Sequence, residues 1–281
     1  MFIDSHAHLN FSAFKDDCDE VIKSSLAQNT WVANVGSQYS TSKRAVQIAE
    51  RYPQGVYAVV GLHPVHLFEM EVTEEGVSFT TKEERFDPQK YRELALSPKV
   101  VGIGECGLEY FHLPAGHEAE IKAVQKEAFQ QQIKLAAEIG KALVVHSRDA
   151  YEDVYDIIKI FAGDLKSIII HSYIGSGEQL KKFVDLGCFV SFNGIITFKP
   201  RKEKKPGQSD PTLLEAVKDA PLDRILLETD CPWLSPEPLR GQRNLPVNVK
   251  YVAAKIAEIK GISVAEVEKQ ATENTRKVYG I

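Results

Sequence analysis

Cysteine is scarce in this chain of 281 residues, with only Cys18, Cys106, Cys188 and Cys231, and no two share a C-x-x-C spacing. Scattered thiols of this kind exclude a disulfide framework and suit a reducing compartment, where they are expected to be buried. No apolar stretch approaches the ~20 residues of a membrane span. Nor does the N-terminus carry a basic segment followed by an apolar run and a small-residue cleavage site. The expectation is a soluble cytoplasmic protein with no membrane contact and no evident obligate protein partner. An excess of basic charge is also missing, with 34 Lys and Arg against 39 Asp and Glu and a net charge of −5. That balance excludes the global positive field that coats nucleic acid without specificity. A nucleic-acid substrate stays open, because bound divalent cations reverse the charge of a site whatever the protein's total.

What the chain does have is alternation. Short apolar runs at Phe2–His8, Trp31–Val35, Val56–Leu62, Val100–Glu105, Leu143–His146, Ile168–His171, Cys188–Phe192 and Ile225–Glu228 read as strands. Residues 16–28, 42–52, 119–140, 149–161, 178–186, 212–220, 248–260 and 264–279 carry helical patterns, with Gly140 as a helix stop and Ser263 as an N-cap. The stretch 68–98 is mixed and acidic, and a short helix is expected before the fourth strand. Eight such units with no dividing linker predict an α/β fold, a (β/α)8 TIM barrel of the metal-dependent hydrolase type forming one domain over residues 1–281. The alternative, an open doubly wound sheet, is disfavoured because no glycine-rich phosphate loop follows the first strand.

Polar residues gather at the C-terminal ends of these strands. His6 and His8, two apart on a strand, point to one face, and neutral imidazoles are common ligands for divalent metals. Glu105, His146 and His171 end strands four, five and six, while His63 and Asp230 follow strands three and eight. In a barrel all these ends open on one face, where active sites of this fold lie, so the pattern predicts a shared metal site.

The strings Asp4-Ser-His-Ala-His-Leu9, Gly61-Leu-His-Pro64, Gly104-Glu-Cys-Gly-Leu108, His146-Ser-Arg-Asp149, Glu228-Thr-Asp-Cys-Pro232, Arg240-Gly-Gln-Arg-Asn244 and Glu273-Asn-Thr-Arg276 recur in order along the chain. In them the sequence resembles the TatD family of metal-dependent deoxyribonucleases, among the amidohydrolase-like barrels. The resemblance implies two divalent ions, magnesium, manganese or zinc, one held by His6, His8 and Asp230 and the other by His146 and His171, with Glu105 bridging. Such a pair binds phosphodiester oxygens and lowers the pKa of attacking water. It implies further that Asp230 accepts the proton of that water, and that His63 lies beside the scissile phosphate as proton donor or electrostatic partner. Arg148 and Arg243 are the candidate phosphate partners, and Asn244 either fixes its loop or touches substrate. The implied activity is removal of nucleotides from a single-stranded 3′ end of DNA, with RNA left open.

The family pattern is broken in places. Ile174 stands where a small residue is usual, Glu109 where Asp is usual, and Leu245 where Glu is usual. These changes keep two other functions in play: a metal-dependent hydrolase of carboxylic or aminoacyl esters or small phosphoesters, and a non-catalytic nucleic-acid-binding barrel. His66, His112 and His117 are expected in surface loops. The five basic residues between Lys199 and Lys205 either guide a nucleic-acid backbone or form a solvated loop. Tyr110, Phe111 and Trp233 either stack bases or wall the pocket.

Overall fold

The computed structural model describes residues 1–74, 77–113, 116–199 and 211–281. Eight strands form one sheet in the order β1 (Phe2–Ala7), β2 (Thr30–Val35), β3 (Val56–Val60), β6 (Val100–Glu109), β7 (Ala142–Arg148), β8 (Ile168–Ile170), β9 (Phe189–Phe192) and β10 (Ile225–Leu227). Each observed pairing within it is parallel. The sheet curls into a nearly closed barrel. Its two edges meet at their C-terminal ends, where Asp230 N donates to His6 O at 2.9 Å and His8 N donates to Cys231 O at 2.9 Å. Asp4, fully buried in β1, adds a side-chain clasp by accepting from Thr229 N at 2.9 Å and from the Thr229 hydroxyl.

Apolar side chains on both faces of the strands explain their near-continuous hydrophobic runs. Val59, Val101, Val144, Ile169 and Leu226 belong to a core inside the barrel, sealed below by Val278 and Tyr279. Their neighbours Ala58, Val60, Leu143, Val145 and Leu227 pack outward with the helices. The ring of helices comprises α1 (Cys18–Ala27), α2 (Tyr39–Ala49), α3 (Pro88–Ala95), α4 (Glu118–Ile139), α5 (Tyr151–Phe161), α6 (Gly177–Asp185), α7 (Pro211–Asp219), α8 (Val249–Lys260) and α9 (Val264–Tyr279). Gly140 closes α4 in the left-handed region at φ 62°. Ser263 caps α9 reciprocally: its Oγ accepts from Glu266 N, and the Glu266 carboxylate accepts from Ser263 N.

Two features differ from the expectation. Within residues 68–98 the structure contains an antiparallel hairpin, β4 (Glu71–Glu74) with β5 (Val77–Thr80), as well as the expected helix. Its base is fastened by Thr81, whose N–H donates to Met70 O at 2.8 Å and whose hydroxyl donates to Phe68 O at 2.6 Å. Strand β6 also runs four residues beyond Glu105, and glycine makes this possible. Gly107 has φ 143°, and a Cβ there would stand 2.0 Å from His146 O. All four cysteines are free and buried. Among the described residues no helix is long and apolar enough to cross a membrane. Beyond Lys199, the basic stretch lies outside the described residues.

Candidate metal centre

Glu105 stands at the middle of the C-terminal mouth, and its two carboxylate oxygens face different histidines. Oε2 lies 3.3 Å from His6 Nε2 and 3.9 Å from His8 Nε2. Oε1 lies 2.8 Å from His146 Nδ1, 3.2 Å from His171 Nε2 and 3.3 Å from His63 Nε2. Asp230 joins the first group, with Oδ1 3.2 Å from His8 Nε2 and 3.9 Å from His6 Nε2, while the two Nε2 atoms are 3.2 Å apart. A close approach of backbones brings this about: a Cβ on Gly61 would meet the Gly104 carbonyl carbon at 2.5 Å, so only glycine lets the His63 loop reach Glu105.

The remaining ring nitrogens show which atom of each histidine can ligate. His8 Nδ1 faces Val35 O at 2.9 Å, a pure acceptor, so it carries the hydrogen and Nε2 presents its lone pair inward. His171 Nδ1 lies 3.1 Å from the Glu228 carboxylate, which fixes the same tautomer. His146 is turned the other way, with Nε2 against Glu109 at 3.2 Å and Nδ1 free to ligate. His63 is the reverse case: its Nδ1 accepts from Val65 N at 3.2 Å, so its hydrogen sits on the Nε2 that faces Glu105. Of the inward nitrogens, that of His63 is therefore a donor, while those of His8, His146 and His171 are the atoms on which each ring, once neutral, offers a lone pair.

Electrostatics follow the same layout. Burial favours neutral Glu105, but His171, His63, His6 and His146 outweigh it and hold the carboxyl well below its ordinary range. Burial and then neighbouring imidazoles depress His6 and His63. For His146 burial opposes the cation, yet hydrogen bonds to Glu105 and Glu109 push it up to about 9. His171 is likewise raised, by Glu228 and Glu105 against burial.

Metal–nitrogen and metal–oxygen bonds of ~2.0–2.2 Å place adjacent ligands on one ion ~3 Å apart. The spacings about Glu105 are of that size, and the donor set is imidazole and carboxylate without thiolate. The buried groups His6–His8–Glu105 and His6–His171–Glu228, and the half-buried group His63–Glu105–His146, each bring three ligand atoms within 4.8 Å of one another.

Residues 3–280 match the family described as TatD related DNase. This chain belongs to that family. Its TatD-family relatives include the Bacillus subtilis protein YabD, described as an uncharacterized metal-dependent hydrolase and 38% identical over the whole of both chains. The 3′-5′ ssDNA/RNA exonuclease TatD of Erwinia tasmaniensis is 30% identical, with 99% of each chain covered. The crystal structure of YJJV, a TatD homologue from Escherichia coli K12, superposes with a TM-score of 0.83 at 25% identity over 100% of this chain and 98% of that one. The protein is a TatD-family metal-dependent hydrolase with the TIM-barrel fold of that family.

Other candidates fall less evenly about the centre of this TatD barrel. Arg148, half-buried, lies over the Phe111 ring at 4.1 Å, beside the mouth. Arg243 pairs with Asp17, with 3.1 Å from Nη1 to Oδ1, donates to Ala13 O at 2.7 Å and covers Phe14. Asn244 is fully buried and donates to Thr229 O and Trp233 O, which fixes its loop. Trp233 packs edge-on to His8 and Phe11, whereas Tyr110 donates to Asp153 at 2.7 Å under Lys122, on the helix side.

The reading of His66 and His112 as surface residues needs correction. His66 sits half-buried in the turn Pro64–Leu67, where burial and then His63 lower its pKa to about 3. His112 is half-buried against Glu109 at 3.6 Å, because Glu109 gathers the backbone after β6; His117 alone of the three is exposed. The outer carboxylates Glu109 and Glu228 were not singled out as functional in the sequence. A carboxylate two or four residues from a ligand in the strings Glu105–Glu109 and Glu228–Asp230 was the signal available.

Proposed function

We propose that this hydrolase cleaves phosphodiester bonds of single-stranded DNA, releasing nucleotides from the 3′ end, with RNA as a second substrate. The observation that carries the reading is the division of five histidines and Asp230 between the two oxygens of one buried glutamate. Two divalent ions would be held across that division, one by His6, His8 and Asp230, the other by His146 and His171, with Glu105 shared. When bound, such ions would supply Lewis acidity toward the phosphodiester and lower the pKa of water at the site. Asp230, 16% exposed at the rim, would take the proton from the attacking water. His63, with its hydrogen on Nε2 and its side chain 12% exposed, is placed to hydrogen-bond the departing oxygen. The name of the Erwinia relative supports the substrate and polarity.

The test is release from a 3′-labelled single-stranded oligonucleotide with magnesium or manganese. Stepwise release is the expected result. Folded, metal-containing protein that releases nothing would defeat the nuclease reading and turn attention to carboxylic esters and small phosphoesters.

A pH dependence of metal binding follows from His146. Its pKa of about 9 means that the metal-free protein carries a proton there at neutral pH, which an ion must displace from Nδ1. Through His146, apparent affinity is expected to rise with pH up to about 9 and to level off above. Calorimetric titrations in buffers of different ionisation enthalpy would detect protons released by His146 and His171; no release at pH 7 would show that both are neutral without metal. In the metal-free protein the raised pKa stabilises the fold below pH 6.5, and this contribution is lost as pH climbs through about 9.

A further inference from the structure

We propose that Phe111 is a stacking platform for a nucleobase flanking the scissile phosphate, an inference that rests on the nuclease reading above. Phe111 follows the C-terminal end of β6, and at 39% exposure it is a large apolar side chain left open at the mouth of the barrel. An exposed phenylalanine gains nothing from water, and here its position is built rather than loose. Its backbone N–H donates to Glu109 Oε1 at 2.7 Å, while Glu109 Oε2 holds His146 Nε2 at 3.2 Å. His146 in turn reaches Glu105 Oε1 at 2.8 Å. The ring is thus tied through one carboxylate to the group at the centre of the site.

Its orientation is set from two sides. The Arg148 guanidinium lies 4.1 Å from the ring centroid, and His112 meets the ring edge-on with centroids 4.8 Å apart and planes at 84°. A guanidinium over one face leaves the other for a ligand's base, and the ring's negative face attracts the cation. A flat, edge-braced aromatic face beside a phosphate-cleaving centre suits a nucleobase. It would recognise bases without discriminating among them, since every base offers a π-face. Tyr110 and Trp233 do not compete for this role: the first is tied to Asp153 and Lys122, the second packed against His8 and Phe11.

A cycle of protein and substrate changes tests this. Wild-type protein and Phe111→Leu are compared on an unmodified single-stranded oligonucleotide and on copies abasic at the 3′-terminal or the penultimate nucleotide. Leucine keeps the apolar bulk and removes the π-face. On the unmodified substrate, Phe111→Leu is expected to raise KM about tenfold. On one of the abasic copies the two proteins should differ by less than about threefold, and Phe111→Trp should restore the wild-type KM. An equal loss on all three substrates would assign Phe111 a structural role and overturn the platform, as would no loss on any. If wild-type protein releases no nucleotide at all, the nuclease reading fails and the platform falls with it; release without coupling removes the platform alone.

Discussion

Glu105→Ala is expected to lower turnover on the order of a thousandfold or more while the barrel remains folded. The carboxylate lies against His6, His63, His146 and His171 within 3.3 Å, and its two oxygens face both groups of donors. Without it, neither set keeps its shared anion, and His146 and His171 lose a partner that raises their pKa. Bound metal should therefore fall together with activity. The fold does not depend on this side chain in the same way, because β6 stays paired on both sides through its backbone, Glu105 N–H to Gly36 O included. Turnover, metal content and a circular-dichroism melt on the same preparation separate these effects. Wild-type turnover in the mutant would remove Glu105 from the mechanism.

Glu228→Gln is expected to weaken metal binding by about 10- to 100-fold with little change in secondary structure. Glu228 is fully buried, and its oxygens accept from His171 Nδ1, Ser172 N at 2.8 Å, the Ser191 hydroxyl and Asn193 Nδ2 at 3.3 Å. All four partners require an acceptor or tolerate one. An amide has one acceptor oxygen, so with that oxygen kept on Ser172 N and Asn193 its NH2 faces His171. The imidazole must then accept at Nδ1 and carry its hydrogen on Nε2, the atom 3.2 Å from Glu105. That removes the lone pair from the ligating position while leaving size and packing unchanged. Metal content after dialysis against graded free-metal buffers reads the effect. Glu228→Ala should cost stability as well, about 3 kcal/mol or more, because it strands the buried donors. Wild-type affinity in the glutamine variant would show that His171 is oriented by packing alone.

The centre was legible because its chemistry is concentrated. Histidine, glutamate and aspartate at the ends of apolar runs stand out against strands made of Val, Ile and Leu, and a barrel converts sequence periodicity into one shared face. What holds those residues was harder to read. Glu109 drew notice only as a departure from the usual aspartate, yet it orients His146 and accepts from the backbone N–H groups of Phe111 and His112. Arg243 resembled a phosphate partner by its motif, but its pairing with Asp17 spans 226 positions, and no local pattern encodes such a contact. The hairpin Glu71–Thr80 was hidden for the opposite reason: short polar strands outside the barrel lack the continuous apolar run that betrays the others.

The way the barrel meets its own beginning constrains how the protein comes into being. His6 and His8 leave the ribosome more than 220 residues before the neighbours that close their strand, Asp230 N on His6 O and Cys231 O on His8 N. Tyr279, which fastens the floor by donating to Ser5 O at 2.9 Å, comes later still. At a synthesis rate of ~5–20 residues per second the first ligands wait roughly 10 to 50 seconds for their partners. During that wait the nascent strand has an unpaired edge and two bare imidazoles, so a cell making this hydrolase must keep the early strands apart from other chains and load the centre only after translation has passed Asp230.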